Sequence, residues 1–318
     1  MTESETQSGT YEQPELAERI ENRARKTVEL YGRLDRTSQV SFWVLVAIIL
    51  AAVLAQPIKL FGVPVQPFTL APYDPVSPNY QAGLTGPSLA HPMGTDLTGR
   101  DIFSRVLAGA RISLLVGLFA VSLAMAIGVP IGSVAGYAGG WIDEALMRVT
   151  DVMISFPALV IALALVGALG PNIRNVILVI GIVYSPQYAR LIRGQVLSVK
   201  EEEYVEAAEN TGLGDMQILF KHVIPNSFAP VFVQATFHVA TAIIFEASLS
   251  FLGLGVQPPT PTWGVLIADG RNYLPAQWWI STFPGIAIFI TVLSLNLLGD
   301  GLRDEFDPRS ATEGGPEA

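Results

Sequence analysis

Residues 112–142 read ISLLVGLFAVSLAMAIGVPIGSVAGYAGGWI and contain no charged side chain. A helix needs about 20 mainly apolar residues to cross the roughly 30 Å hydrocarbon core of a membrane, so this stretch predicts a transmembrane helix. Uncharged windows (His238 aside) also cover residues 40–58, 152–173, 175–189, 223–245 and 272–299. The window at 175–189 is short, but the flanking Arg174 and Arg190 can extend toward the membrane surfaces. The sequence therefore predicts an all-α membrane protein with six transmembrane helices.

The overall composition agrees with a membrane protein and excludes several functions. Only 15% of the 318 residues are charged, against about 25% in a soluble domain. The absence of cysteine excludes disulfides, thiolate metal sites and cysteine nucleophiles. A net charge of -9 argues against nucleic acid as a partner. Two interpretations of this acidity remain open: a surface suited to the salty cytoplasm of a halophilic prokaryote, or solubilising acidic tails.

The windows divide the chain into five parts. Residues 1–39 form an N-terminal arm, 40–60 the first transmembrane helix, and 61–111 an extracellular loop whose end is a helix leading into the second span. Residues 112–300 form the core, with a helical hairpin at 201–225 between spans four and five, and 301–318 form a tail. This arrangement places 13 of the 19 Lys and Arg residues on one side. Since basic residues favour the cytoplasmic side, both termini are expected to be cytoplasmic.

The hairpin has a pattern that suits contact with another protein. It contains Glu206-Ala207-Ala208 and then Gly212-Leu213, and it continues through Lys221 to Pro225, which precedes span five. The small alanines leave a flat face for close packing, and the glycine permits a sharp turn. From the residues alone, an ordinary cytoplasmic helical hairpin explains the pattern equally well.

The same segment resembles the E-A-A-x3-G-x9-I-x-L-P motif of the permeases of binding-protein-dependent ABC importers. His222 replaces the aliphatic residue of the motif and Ile224 replaces its leucine. The run from 221 to 226, KHVIPN, is instead similar to the variant of the dipeptide, oligopeptide and nickel branch. Three further blocks resemble that branch, at residues 91–114, 249–264 and 299–308. The match is best with the shorter of the two permeases of such systems.

This resemblance implies a function and a set of partners. The hairpin would be the coupling element that seats in the ATPase, through Glu206, Ala207, Ala208, Gly212, Leu213, Lys221 and Pro225. The partners would be a second homologous permease forming a heterodimer, two ATP-binding cassette subunits, an extracellular solute-binding protein and membrane lipid. The expected location is the plasma membrane of a prokaryote. The expected cargo is di- or oligopeptides, with nickel or oligosaccharides as alternatives.

No residues suited to ATP chemistry are found in the sequence. None of the four lysines follows a glycine, as a phosphate-binding Walker A loop requires. The three histidines lie in different predicted compartments, so no metal site is expected, and no catalytic residue is proposed. We therefore expect a subunit that is not an enzyme, with ATP and magnesium bound by its partners. A stand-alone secondary transporter is the remaining alternative, but it leaves the hairpin without a role.

Glycines recur every fourth residue at Gly128, Gly132, Gly136 and Gly140. Small residues at this spacing let two membrane helices approach closely, so we predict a packing ridge. The partner helix could belong to this chain or to the second permease.

Two ionisable residues lie in the fifth hydrophobic segment: His238 within the window 223–245 and Glu246 directly after it. Such residues within a membrane are candidates for a functional site, so both are predicted to border a translocation path. The alternative for Glu246 is a structural hydrogen bond near the outer membrane surface.

Overall fold

The computed structural model describes residues 31–57, 59–60, 63–64 and 68–306. Most of the predicted N-terminal arm, residues 1–39, and most of the tail, residues 301–318, lie outside these ranges. Within them the fold is almost entirely helical. The two short strands in this part of the chain, β1 (Lys59–Leu60) and β2 (Val63–Pro64), pair in antiparallel fashion.

Eleven α-helices are described. They are α1 (Arg36–Leu54), α2 (Ile102–Ala138), α3 (Gly140–Ser155), α4 (Ala158–Leu169), α5 (Ile173–Lys200), α6 (Glu203–Asn210), α7 (Asp215–Ile218), α8 (Ile224–Ser227), α9 (Ala229–Phe251), α10 (Trp263–Gly270) and α11 (Trp279–Phe306). Helices α1, α2, α5, α9 and α11 are long and apolar enough to cross a membrane. The α3–α4 pair would be a sixth span if its two bent parts count as one.

Two of the predicted helix starts differ from the observed ones because of N-capping residues. The first transmembrane helix was predicted at 40–60, but α1 begins at Arg36, where the Asp35 carboxylate accepts hydrogen bonds from two backbone N–H groups. The predicted lead-in helix and span two form a single helix, α2, which begins after Asp101. The Asp101 carboxylate accepts the N–H of Ser104 at 2.8 Å. A carboxylate in this position satisfies N–H groups that have no partner within the helix.

The third window, 152–173, is not one straight span, which corrects the prediction. Helix α3 ends at Ser155, and α4 leaves it at an angle of 90°. The break lies at Phe156 and Pro157, where Phe156 has extended backbone angles, φ −95° and ψ 145°. Proline disfavours a helical conformation in the residue before it, so the helix ends there. The apolar part, α4, has 12 residues.

Helices α2 and α5 pack against each other along most of their length and form the centre of the bundle. Their interface holds much of the larger hydrophobic core, including Val116, Ala124, Ile180 and Tyr188. A 37-residue helix is about 55 Å long, so the two ends of α2 lie at opposite ends of the molecule. One end carries the hairpin, because the Nζ of Lys200 donates a 3.0 Å hydrogen bond to the carbonyl of Tyr137.

The opposite end of α2 carries a cap built from residues 68–101. Its backbone pairs with itself, with a bridge between Thr95 and Asp101. Asp96 holds it closed by accepting hydrogen bonds from the N–H and hydroxyl of Thr98 and from Arg100. The short helix α10 joins this end through a 3.6 Å ion pair between Arg105 and Asp269. The cap thus connects the start of α2 with the segment between α9 and α11.

Candidate functional site

The hairpin between α5 and α9 is helical on both sides of a glycine turn. Helix α6 ends at Asn210, and Gly212 follows with φ +77°. A side chain at Gly212 would meet no atom within 4 Å, so the glycine is needed for its backbone angle and not for space. After Gly214 the chain is helical again from Asp215 to Ser227, through α7, a π-helical turn and α8.

The predicted contact residues of α6 divide between two faces. Glu206 and Ala207 are exposed, whereas Val205 and Ala208 are buried against the bundle. The prediction of a flat face formed by the two adjacent alanines is therefore wrong, because successive residues of a helix point in directions about 100° apart. Ala207 alone offers a small exposed side chain, and Ala208 holds α6 onto the core.

The exposed face of the hairpin also includes two large apolar side chains that the sequence reasoning missed. Met216 is 65% exposed and Phe220 is 61% exposed. Residues four apart lie on one face of a helix, so these two side chains are neighbours, while Leu219 and Val223 form the buried face. The sequence contained a signal for this arrangement. Met216 and Phe220 are one apolar pair four residues apart, and Leu219 and Val223 are a second such pair that begins three residues later.

The remaining predicted residues of the hairpin occupy different environments. Leu213 is half-buried and packs against the core. Lys221 and Pro225 are exposed, and Pro225 lies inside α8 and does not end it. Proline is tolerated there because the first N–H groups of a helix have no partner within the helix.

The surface of the hairpin is acidic. Its exposed acidic residues are Glu201, Glu202, Glu203, Glu206, Glu209 and Asp215. Lys200 and Lys221 are the basic residues nearby, and the Nζ of Lys200 is bonded to the Tyr137 carbonyl. A surface that combines exposed apolar side chains with charged ones has the composition of a protein contact surface.

Three of the four predicted ridge glycines lie against α5 of the same chain. An ideal Cβ on Gly128 would come within 2.3 Å of the Ser185 carbonyl oxygen, and one on Gly132 within 2.0 Å of the Ala189 carbonyl oxygen. One on Gly136 would come within 3.0 Å of the Arg193 carbonyl oxygen. These contacts show why only glycine fits at the two closest positions.

Gly140 does not belong to the ridge, which corrects the fourth position. It has φ +56° and starts α3, beyond the end of α2, and a side chain there would meet nothing within 4 Å. The four-residue period continues in the sequence only because the turn between the two helices also contains glycines.

The structure places Glu246 in the interior of the protein, with no exposed surface. One oxygen of its carboxylate accepts hydrogen bonds from the hydroxyls of Ser250, at 2.7 Å, and Thr262, at 3.0 Å. The Thr262 hydroxyl in turn accepts the Val265 N–H and caps α10. Glu246 thus joins the end of α9 to the start of α10, and this geometry matches the structural alternative.

His238 is also buried, at 5% exposure. Its ring packs against Tyr184 and Tyr188, with centroids 5.1 Å and 4.9 Å away, and its Nε2 lies 2.9 Å from the Gln234 amide nitrogen. The structure does not bring His238 and Glu246 together on an open surface. Their role in a translocation path stays a prediction.

The comparisons with known proteins agree with this architecture. The family model described as binding-protein-dependent transport system inner membrane component matches residues 128–312. The chain belongs to this family. The resemblance seen in the sequence motifs is therefore confirmed.

Several curated relatives of the permease carry more specific names. This chain is 47% identical over 226 residues to a dipeptide transport system permease protein, DppC, of Alkalihalophilus pseudofirmus, and the match covers 71% of this chain and 74% of that one. It is 46% identical to a probable D,D-dipeptide transport system permease protein of Escherichia coli K12, covering 76% and 81%. It is 47% identical to a glutathione transport system permease protein of Escherichia coli O6:K15:H31, covering 76% and 80%.

Solved structures show the same fold at low sequence identity. The permease matches the MetNI methionine ABC transporter in an inward-facing conformation with a TM-score of 0.54 and 16% identity, over 64% of this chain and 97% of that one. An amino acid ABC transporter with histidines gives a TM-score of 0.51 at 16% identity, over 64% and 95%. At such identities the likeness is one of fold alone.

The protein is thus a multi-pass permease of the inner membrane and a subunit of an ABC importer. It works with a partner permease and with ATPase subunits, and ATP hydrolysis belongs to those ATPase subunits. The all-helical membrane fold predicted from the sequence is confirmed, whereas the number of spans is five or six.

Proposed function

We propose that this permease forms half of the translocation path of an importer for di- and oligopeptides. The relatives at 46–47% identity are permeases of dipeptide, D,D-dipeptide and glutathione transport systems. Dipeptides and glutathione share a short peptide backbone with charged ends. This shared chemistry supports peptides over nickel or oligosaccharides as the cargo.

The observation that carries the proposal is the exposed hairpin surface around Met216 and Phe220. Apolar side chains that share one exposed face often mark a contact with another protein, so we assign this surface to such a contact. The occupant that fits the function is the ATPase subunit. The exposed side chain of Ala207 is small enough to allow tight packing against it, and exposed Glu206 lies beside Ala207 in the chain.

The hairpin is placed so that movement at its surface reaches the membrane helices. It follows α5 directly and continues into α9, and α5 is locked to α2 through the contacts of Gly128 and Gly132. When ATP binding closes the two ATPases, a pull on the hairpin would move α2 and α5 as one body. The path would then exchange an inward-open state for an outward-open state, each stabilised by different contacts.

The remaining assignments follow from this orientation. The hairpin and both termini face the cytoplasm, and the cap at 68–101 faces outside, where an extracellular solute-binding protein delivers the cargo. The second permease is a homologous chain that completes the path as a heterodimer within membrane lipid. ATP and magnesium are held by the ATPases and not by this chain.

Co-purification tests the proposal most directly. The tagged chain is expressed with its neighbouring genes, extracted in mild detergent and analysed for bound proteins. We expect two Walker-motif ATPases and a second permease, and we expect the ATPases to be lost in Ala207→Glu because the new charge enters the contact surface. Ala276→Glu is the matched control, since Ala276 is an exposed alanine in the loop before α11 at the cap end.

Peptide uptake by the complete transporter, reconstituted in vesicles with ATP inside, tests the cargo. ATP-dependent accumulation of a labelled dipeptide is the expected result. Recovery of the inserted chain without any ATPase would contradict the importer assignment, and accumulation of nickel without peptide would contradict the cargo.

A further inference from the structure

The exposed face of α9 differs from that of a helix that meets only lipid. In α1, every exposed residue from Val40 to Leu54 is apolar, as expected for a lipid-facing surface. In α9 the exposed line contains Thr241, Ile244 and Phe251, with half-buried Ser248 beside them, so hydroxyls and apolar side chains are mixed. It is the opposite side of the helix from buried His238 and Glu246.

This face opens into a groove of about 360 Å³ between α9, α10 and α11. Ile244 and Ser248 line it on one side, and Ile267 of α10 and Ile288 of α11 on the other. Because these walls are almost entirely apolar, the groove suits an apolar side chain.

A second hollow, of about 460 Å³, lies at the cap end and shares Phe251 and Leu252 with the groove as lining residues. This second hollow has charged walls. Asp96 and Arg100 form a 2.6 Å ion pair with each other. Asp269 and Arg271 are the other two charged residues that line the hollow.

Asp269 and Arg271 offer opposite charges to a ligand. The side chain of Asp269 is 38% exposed, and its contact with Arg105 is long, at 3.6 Å. Burial raises the pKa of the Asp269 carboxyl, so a bound cation would stabilise its charged form. Arg271 is held over the Phe251 ring and donates one hydrogen bond to the Phe251 carbonyl, which leaves other guanidinium N–H groups for an anion.

We propose that the groove and the charged hollow together form a subsite for a zwitterionic peptide on the outer half of the path. Asp269 receives the terminal ammonium, Arg271 receives the terminal carboxylate, and the groove below Phe251 receives an apolar side chain. This inference rests on the proposed peptide cargo. It assigns the path to the exposed face of α9, not to Glu246 or His238.

A phospholipid is the other ligand with a charged head and an apolar part. The hydroxyls of Thr241 and Ser248 donate to the carbonyls of Phe237 and Ile244 in their own helix, so they accommodate either ligand. Asp269 and Arg271 offer both charge signs, which match the two ends of a short peptide, the cargo proposed above. The peptide is therefore the occupant proposed, and a phospholipid is an outcome of the test.

The test uses the complete reconstituted transporter and three forms of one dipeptide: free, N-acetylated and C-amidated. We measure the uptake rate of each form by the unaltered transporter and by Asp269→Asn and Arg271→Gln. Loss of a hydrogen bond to a charged group costs roughly tenfold in binding. Asp269→Asn should therefore slow uptake of the free peptide about tenfold and uptake of the N-acetylated form much less. Arg271→Gln should slow uptake of the free peptide about tenfold and uptake of the C-amidated form much less.

For each variant we compare the ratio of the uptake rates of two peptide forms with the same ratio in the unaltered transporter. This comparison removes the contribution of the solute-binding protein, which is the same for every variant. Asp74→Asn and Arg174→Gln are matched controls, because these residues do not line the hollow. Arg271 is exposed, so its variant also tests the inference if Asp269→Asn destabilises the buried Arg105. The amount of assembled transporter is measured in each case.

Three results would overturn the inference. One is equal slowing of all three peptide forms, and another is no slowing at all. The third is retention of a phospholipid by the purified complex that is lost in Arg271→Gln while peptide ratios stay unchanged, which would identify a lipid site. By contrast, failure of the unaltered transporter to accumulate any peptide would contradict the proposed cargo itself.

Discussion

The indole Nε1 of Trp279 donates a 3.1 Å hydrogen bond to the carbonyl oxygen of Thr95, 184 residues earlier in the chain. The same indole fills the space beside Gly94, where an ideal Cβ would come within 2.6 Å of the Nε1 atom. Trp279 begins α11, and Thr95 lies in the cap. This contact therefore fastens the cap to the last membrane helix.

Trp279→Phe tests the strength of this connection. The substitution keeps an aromatic ring but leaves the Thr95 carbonyl without its donor, so we expect a loss of about 1–3 kcal/mol in unfolding free energy. Trp278→Phe, at a residue 48% exposed, should change stability by much less. Thermal unfolding in detergent measures both, and equal midpoints for the two variants would show that the contact is not stabilising.

Gly212→Val tests the turn of the hairpin. A β-branched residue resists the φ of +77°, and a left-handed conformation costs about 1–2 kcal/mol. We expect the subunit to remain inserted while uptake falls by roughly 5- to 30-fold. Gly214→Val is the control, since Gly214 has φ −74° and ψ 148°, which valine adopts readily. Equal uptake by the two variants would argue against the coupling role.

Gly132→Ala tests the contact between α2 and α5. In an exposed helix this change stabilises by roughly 1 kcal/mol, and that is the expected direction for Gly194→Ala on α5, where a side chain meets nothing within 4 Å. At Gly132 the new methyl group collides with the Ala189 carbonyl, so the expected change is a loss of about 1–3 kcal/mol. The two variants should shift the unfolding temperature in opposite directions.

Arg193→Lys tests the attachment of α3 to α5. Arg193 donates two hydrogen bonds to the Asp143 carboxylate, at 2.5 Å and 2.6 Å, and lysine cannot reproduce this paired geometry. We expect a loss of about 1 kcal/mol after allowing for solvent screening. Arg148→Lys affects an ion pair with Glu144 that is about three-quarters exposed, and should cost less than about 0.5 kcal/mol. A chemical denaturation series compares the two.

The pH dependence of stability should report Asp269. Its pKa is raised above the usual value because burial disfavours the charged carboxylate, so the folded state holds this proton more tightly than the unfolded state. Its contribution to stability is present below the ordinary pKa of 3.8 and is lost as pH rises through the raised value. Asp269→Asn should remove this part of the decline in unfolding free energy with rising pH. Parallel stability curves for both proteins above pH 4 would contradict it.

The elements that the sequence predicted well are those that depend on local composition. Long uncharged windows located the membrane helices, because a span requires about 20 apolar residues in a row. Gly212 was recognisable because its left-handed backbone is a local requirement, and the order of the helices around it followed from the same segment.

What could not be predicted depends on which side of a helix meets its neighbours. Glu246 and Thr241 both lie in the fifth hydrophobic segment, yet the first is fully buried and the second is exposed. In a membrane helix the lipid-facing and protein-facing sides are both apolar, so hydropathy does not distinguish them. The bend at Pro157 was missed for a related reason, since the apolar window continues through it without interruption.

The bend leaves α4 with 12 residues and a length of about 18 Å, well short of the roughly 30 Å hydrocarbon core. The carbonyls of Leu169 and Gly170, where the helix ends, are paired within the protein, because the Asn175 side-chain amide donates to them at 2.8 Å and 2.9 Å. The helix end can therefore lie below the headgroups with these two carbonyls satisfied. The bilayer beside α4 then does not have to thin to reach this end, so the fold accommodates a helix much shorter than the hydrocarbon core.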